Sequence, residues 1–223
     1  HSVSWEDGSK GQSGHWNVFT SEEIDLVLKN PLIFSNAAGP RIVDTPKEAI
    51  RGKHISLNLM DPPVHRDYRH LADKAFKPAA IKRREPAVRA IADRVIDEII
   101  DLGHCEFVEA VATQLPLRVI AWILGVPDED RAHVCTLTNT MMIADDPDFA
   151  SSAMEGYDAQ RALVKYGAAL AADHRINPRD DLTADLLEAE RDGGEQLTDL
   201  EYGLFFLNLI IGGIETTRNA TAY

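Results

Sequence analysis

The feature that most constrains the fold is an apolar stretch late in the 223-residue chain, Leu204 to Ile211, in which only Asn208 is polar. A helix that is apolar on nearly every side must be buried, so this stretch predicts a helix through the core of a large domain. Thr198, followed three residues later by Glu201, has the spacing of a capping box. We therefore expect this central helix to begin at Thr198.

The composition limits the kind of protein. With 23 Lys and Arg against 36 Asp and Glu, the net charge is −13, which argues against a nucleic-acid binder. The apolar run from Leu204 to Ile214 is interrupted by polar and glycine residues and is far shorter than the roughly 20 residues that span a bilayer. Cys105 and Cys135 form no CxxC pattern, so we expect neither a disulfide framework nor a zinc site, and a reducing cytoplasm.

Most of the remaining chain has helical periodicity. Apolar residues spaced by three or four from Val88 to Leu102 predict a helix that Gly103 ends. Similar reasoning predicts a strand over His15 to Phe19 and further helices over 21–29, 61–77, 107–124 with a bend at Pro116, 129–143, 151–174 and 181–190. The expected fold is mainly α with a small β region near the N-terminus.

Both ends of the chain differ from those of a typical complete protein. The first residue is His1 rather than Met, and the helical pattern still runs at Tyr223 without a residue that stops helices. We expect the chain to be truncated at both ends.

The most unusual motif follows the apolar stretch: Gly212-Gly213-Ile214-Glu215-Thr216-Thr217. Each glycine costs a helix about 1 kcal/mol relative to Ala. Glycines let a flat ligand approach the backbone, and a Thr216 hydroxyl can bond a carbonyl of the preceding turn and open the helix for water. The alternative is packing between helices over small residues, with Glu215 simply solvated, and the residues alone leave both interpretations open.

A second motif surrounds Asp61-Pro62-Pro63, which is typical of a helix start. His65 and Arg69 lie four residues apart, on one helical face, and two such donors can clamp a carboxylate. A solvated basic face is the commoner use of such residues. Metal binding is not expected, since His65 and His70 are five residues apart and point to different sides.

Taken in order, the segments resemble bacterial cytochrome P450 enzymes over almost the whole chain. The resemblance rests on Phe34-Ser35, Asp61-Pro62-Pro63 with His65 and Arg69, Phe76 before Pro78, Leu124-Gly125-Val126-Pro127, Asp180-Asp181-Leu182, Leu197-Thr198 and Gly212 to Thr217. It implies one partial domain over residues 1–223, with an N-terminal strand region, a haem-propionate helix and a central oxygen-activation helix in which the chain stops.

The resemblance also implies roles for particular residues. His65 and Arg69 would bind a propionate of haem (iron protoporphyrin IX), and Gly212 and Gly213 would flank the oxygen-binding groove. Glu215 and Thr216 resemble the acid–alcohol pair that delivers protons while the O–O bond breaks. The cysteine that ligates iron in the family would lie beyond Tyr223, so no metal ligand is assigned in this chain, and Cys105 is not assigned to iron.

The function implied is a haem-thiolate monooxygenase that inserts one oxygen atom from O2 into a small apolar substrate such as a lipid, sterol or terpene. Between His65 and Arg84 seven Lys or Arg accompany two acids, an excess suited to an acidic, ferredoxin-type electron donor. Two alternatives remain: a non-catalytic helical binding module that retains the scaffold, and a haem protein that uses peroxide or senses a gas.

Overall fold

The computed structural model describes residues 3–8, 14–37, 57–143 and 153–223. The chain divides into two compact units, His1–Arg69 and His70–Tyr223. The predicted glycine turn before His15 lies mostly outside the described residues, as do most of the loop predicted over 35–58 and the acidic segment 145–148.

The first unit contains the β structure. Strands β1 (Val3–Glu6) and β2 (His15–Val18) pair antiparallel, and Trp5 lies opposite Trp16 with the ring centroids 5.2 Å apart. Helix α1 (Ser21–Lys29) follows, and the Thr20 hydroxyl caps it by accepting the Glu23 N–H. A 3-10 turn (Leu57–Leu59) precedes α2 (Val64–Ala75), which begins in this unit and ends in the next.

The second unit is helical throughout its described part. Its elements are α3 (Pro78–Ile100), a π-helical segment (Val108–Thr113), α4 (Gln114–Ile123), α5 (Asp128–Ile143), α6 (Ala153–Ile176), α7 (Leu182–Glu188) and α8 (Asp199–Ala222). The central helix α8 packs against α6, α4 and the π-helical segment, and its side chains Tyr202, Phe205, Phe206 and Ile210 have no exposed surface. The predicted buried helix is therefore confirmed.

Two local predictions need correction. Helix α3 ends at Ile100, so Leu102 lies beyond it and is 61% exposed rather than part of a buried stripe. The irregularity expected at Pro116 lies in the preceding turn, where the backbone is π-helical, and Pro116 itself is buried inside α4. A proline lacks the N–H that an α-helix would pair with the carbonyl four residues earlier, so the departure falls on the turn before it.

Two of the motifs in the resemblance are in contact. Gly125 ends α4 with φ +67°, and a Cβ there would lie 2.0 Å from Asp181 Oδ2. Asp181 Oδ1 caps α7 by accepting the Ala184 N–H, while Asp181 Oδ2 lies 2.8 Å from Nε2 of the buried His174. The Thr183 hydroxyl donates to the Leu124 carbonyl at 2.7 Å, so the end of α4 is fixed to the start of α7.

Candidate functional site

The N-terminal half of α8 is positioned by a close approach to α6. A Cβ on Gly203 would lie 2.3 Å from the Val164 carbonyl oxygen, and a Cβ on Gly167 would lie 2.8 Å from Cβ of Phe206. Only glycine allows two backbones to come this close. Together with the Thr198 capping box, which the structure contains in full, this crossing fixes where α8 starts and how it lies against α6.

The buried part of α8 ends at Ile214, which is 2% exposed, and Glu215 and Thr216 are exposed. The Thr216 hydroxyl donates to the Gly212 carbonyl over 2.8 Å. This is the contact with the preceding turn that the motif predicts. The bond uses the one hydroxyl proton and leaves the oxygen lone pairs of Thr216 able to accept a hydrogen bond from another group.

A threonine bonded to the carbonyl four residues back is not by itself a site. Thr221 makes the same contact with the Thr217 carbonyl at 2.8 Å, and Thr138 makes it with Val134 at 2.7 Å inside the core. Thr216 differs in that its acceptor belongs to a glycine whose Cβ position faces open space.

The two adjacent glycines have different surroundings. Apart from its two chain neighbours and the nearby backbone of its own helix, no described residue has an atom within 4 Å of the position that a Cβ on Gly212 would occupy. A Cβ on Gly213 would instead lie 3.1 Å from both Cγ1 and Cδ1 of Ile120 on α4. Both sequence interpretations are thus represented: Gly213 serves packing between helices, and Gly212 leaves an open face beside the Thr216 hydroxyl.

His65 and Arg69 lie on α2 in the first unit. His65 is half-buried, its backbone N–H donates to the Asp61 carbonyl at 3.0 Å, and Arg69 is exposed. The four-residue spacing places the two side chains on one face of the helix, as predicted. Both are donors, which is the chemistry that a carboxylate requires.

Helix α2 begins directly after Asp61-Pro62-Pro63, close to the expected start, but the Asp61 side chain does not cap it. Its carboxylate instead accepts the Ser35 hydroxyl and, over 2.8 Å, the Asn36 N–H. These two hydrogen bonds, with a smaller contribution from the nearby His65, hold the pKa of Asp61 below its ordinary value. The carboxylate ties the start of α2 to the segment that follows α1.

The described residues 3–8, 14–37, 57–143 and 153–223 contain no group of three His, Cys, Asp or Glu that could hold a metal ion. Cys105 is exposed between helices, and burial raises the pKa of the Cys135 thiol, which favours its uncharged form. In that same part of the chain no helix is long and apolar enough to cross a bilayer.

Sequence reasoning does not single out Ile120 or Gly203. An isoleucine in an apolar helix carries no mark of its partner, and a glycine beside Tyr202 gives no sign of which backbone it meets. The only signal for Gly203 is that a helix-weakening residue stands in an otherwise strong helix, which suggests a packing role without naming the partner.

Comparison with known proteins gives a consistent result, although no protein-family model matches the chain. A steroid C26-monooxygenase of Mycolicibacterium smegmatis is 32% identical over 232 residues, covering 99% of this chain and 53% of the relative. A methyl-branched lipid omega-hydroxylase of Mycobacterium tuberculosis is 34% identical over 214 residues, covering 95% of this chain and 50% of the relative. The chain spans about half the length of the curated relatives it matches.

Solved structures agree. A Mycobacterium marinum cytochrome P450 in complex with pseudoionone superposes with a TM-score of 0.86 at 29% sequence identity, over 99% of this chain and 56% of that one. The fold is thus the mainly helical fold that the resemblance implied. Over almost its whole length the chain is similar to enzymes of the cytochrome P450 family.

Proposed function

We propose that the whole protein is a haem-dependent monooxygenase that inserts one atom of O2 into an apolar, lipid-like substrate. The observation that carries the proposal is the Gly212–Thr216 turn of α8. There the exposed Thr216 donates a hydrogen bond to the carbonyl of Gly212, whose Cβ position faces open space.

The residues present fit a haem. Gly212 offers backbone that a flat macrocycle can approach, since a Cβ there would meet no described atom within 4 Å. His65 and Arg69 offer two donors on one face of α2 for a propionate. When bound, haem supplies the activation of O2, and protein groups tune that chemistry.

Thr216 and Glu215 have separate tasks in this proposal. The Thr216 hydroxyl, oriented by its bond to the Gly212 carbonyl, accepts a hydrogen bond from a water and so holds it at the open face. Glu215 is exposed at the same turn, where its carboxylate can take a proton from solvent and release it inward. The pair would pass protons in a fixed order rather than by chance collision.

The names of the relatives support an apolar substrate. One acts on steroids, a second on methyl-branched lipids, and a related structure holds pseudoionone. We infer a substrate of the same general class, a lipid or sterol with little polar surface.

The electron donor in this proposal is of the ferredoxin type. Lys77 and Lys82, before and within α3, are exposed and belong to the basic stretch between His65 and Arg84. In a protein with a net charge of −13, such a stretch attracts an acidic partner locally while the rest of the surface repels it.

The proposal is tested by the absorption spectrum of the reduced full-length protein with carbon monoxide. A haem-thiolate centre gives a characteristic band, which we expect. A spectrum typical of histidine-ligated haem would favour a sensor or peroxide-using protein, and failure of the purified protein to take up haem would favour a non-catalytic helical module.

A further inference from the structure

We propose that Ile120 is a positioning residue: through Gly213 it sets the separation of α8 from α4 and thereby places the Gly212–Thr216 turn. The role of that turn rests on the proposed function, whereas the packing that positions it does not.

The contact is close and specific. A Cβ on Gly213 would lie 3.1 Å from Cγ1 and Cδ1 of Ile120 and 3.5 Å from its Cβ. Two of these separations are shorter than ordinary van der Waals contacts between carbon atoms. Ile120 is 8% exposed, and its helix neighbours Leu117 and Ala121 are 1% exposed, so its side chain has little room to move aside. A methyl group at Gly213 therefore fits only after Ile120 or α8 shifts by a few tenths of an ångström.

The geometry of the helix links this contact to the turn. Successive residues of a helix are rotated by about 100°, so Gly212 faces open space while Gly213 faces α4. Thr216 is four residues beyond Gly212 and hydrogen-bonds its carbonyl, which places both groups on the open side. A methyl group at Gly213 requires a shift of a few tenths of an ångström; where Ile120 stays in place, α8 makes that shift and carries the Gly212 carbonyl and the Thr216 hydroxyl with it.

The Ile120 contact differs in kind from the crossing at Gly203. There the opposing atom is the Val164 carbonyl oxygen, which belongs to the backbone of α6 and cannot be shortened by substitution. At Gly213 the opposing atoms belong to a side chain that can be trimmed. The separation of α8 from α4 is thus set by one replaceable side chain.

This difference provides a direct experiment on the full-length, haem-loaded protein. Ile120→Ala removes both atoms at 3.1 Å and leaves only Cβ, at the ordinary distance of 3.5 Å. We expect Gly213→Ala to lower the Tm by a few degrees when residue 120 is Ile, and to raise it or leave it unchanged when residue 120 is Ala, where the new methyl group occupies vacated space.

The matched control is Gly212→Ala, whose Cβ meets no described atom within 4 Å. It should change the Tm by the same amount with Ile or with Ala at residue 120. If Gly213→Ala also has the same effect in both backgrounds, Ile120 does not set the position of α8 and the proposal is wrong.

Two further measurements separate positioning from packing alone. Amide hydrogen exchange at residues 212–216 should accelerate in Gly213→Ala and return toward the wild-type rate in Gly213→Ala/Ile120→Ala, a result that does not depend on any enzymatic activity. The ratio of product formed to electron donor consumed should fall in Gly213→Ala and recover in Gly213→Ala/Ile120→Ala. A coupled Tm with unchanged exchange and unchanged product ratio would show that Ile120 only packs, and would overturn its positioning role. A wild-type protein that forms no product, while the Tm and the exchange rates respond to the substitutions as expected, would contradict the proposed function and leave the positioning role of Ile120 supported.

Discussion

The hydroxyl of Thr216 has one proton and two lone pairs, and its O–H donates a hydrogen bond to the Gly212 carbonyl. The oxygen therefore faces outward as an acceptor at an exposed position. A hydroxyl in this state orients a water rather than donating to it. Its proposed contribution is to order proton delivery, and it supplies no proton of its own unless the bond to Gly212 breaks.

Removal of this hydroxyl should separate electron consumption from product formation. Thr216→Ala preserves the helix, because Ala is the better helix former, but takes away the acceptor. We expect consumption of the electron donor to continue while product falls and hydrogen peroxide rises, measured as three rates on one sample. Thr217→Ala is the control, since residue 217 is turned by about 100°. An unchanged ratio of product to donor consumed in Thr216→Ala would make the hydroxyl purely structural.

The donor pair on α2 should matter for cofactor retention. Replacing both His65 and Arg69 by Ala would remove two charge-assisted hydrogen bonds to a propionate, each worth about 1.5–3 kcal/mol at most. We expect less haem per protein after gel filtration.

A matched control for the donor pair exists in the same helix. Arg66→Ala/His70→Ala removes the same residue types at the same spacing from a face turned by about 100°. If both double variants lose equal amounts of haem, general charge rather than a specific clamp is responsible.

At the scale of elements, the crossing of α8 and α6 tolerates little change, because the opposing atom belongs to the backbone. A methyl group at Gly203 would lie 2.3 Å from a backbone oxygen, so the helices must separate. Gly203→Ala should lower the free energy of unfolding by about 2–3 kcal/mol. Gly212→Ala in the same helix should raise it by up to about 1 kcal/mol, since Ala is the better helix former. Denaturant unfolding of both variants tests this, and a Gly203→Ala protein as stable as wild type would show that the crossing is looser than described.

The link between the segment after α1 and the start of α2 should depend on pH. The pKa of Asp61 is lowered in the folded state, so the stabilisation is present above the ordinary value of about 4 and is lost as the pH falls through the lowered value. The chemical shift of the Asn36 amide proton should follow this titration below pH ~4. Asp61→Asn should abolish the step, and persistence of the step in that variant would assign it to another group.

These elements also show what sequence can and cannot predict. The Thr198 capping box and the end of α4 near Gly125 are local, since each depends on residues within one turn, and both were predictable. Helix α3 instead ends at Ile100, before the predicted stop at Gly103. A bend was predicted at Pro116, but the irregularity is a π-helical segment in the turn before it, because a proline fixes which hydrogen bond is missing but not how the chain redistributes the strain.

In the candidate site, contacts within one helix were predictable from the sequence and contacts between distant segments were not. The contact between Thr216 and Gly212 follows from a four-residue spacing in a helix, so it was predictable from sequence. Which of the two glycines faces open space was not, because the answer depends on Ile120, more than ninety residues earlier in the chain. The side-chain partners of Asp61, over twenty residues away, were missed for the same reason.

For the whole molecule, the uneven charge should appear in the kinetics of electron transfer. Lys77→Glu should lower the second-order rate of reduction by a ferredoxin several-fold at low ionic strength, and the difference should shrink as salt screens it. Lys165→Glu on α6 makes the same change in total charge at an exposed position outside the basic stretch. Equal effects of the two substitutions in stopped-flow reduction would attribute the change to net charge and remove the case for a local docking surface.

The crossing at Gly203 has a genetic consequence. Because Val164 presents its carbonyl there, every amino acid at position 164 presents the same oxygen, and no substitution at that position can restore a protein damaged at Gly203. In a library of random variants selected for folding, Gly203 should remain fixed whatever changes occur at position 164. Positions 120 and 213 should instead change as a pair. The pattern of accepted substitutions would then distinguish the backbone contact at Gly203 from the side-chain contact at Gly213.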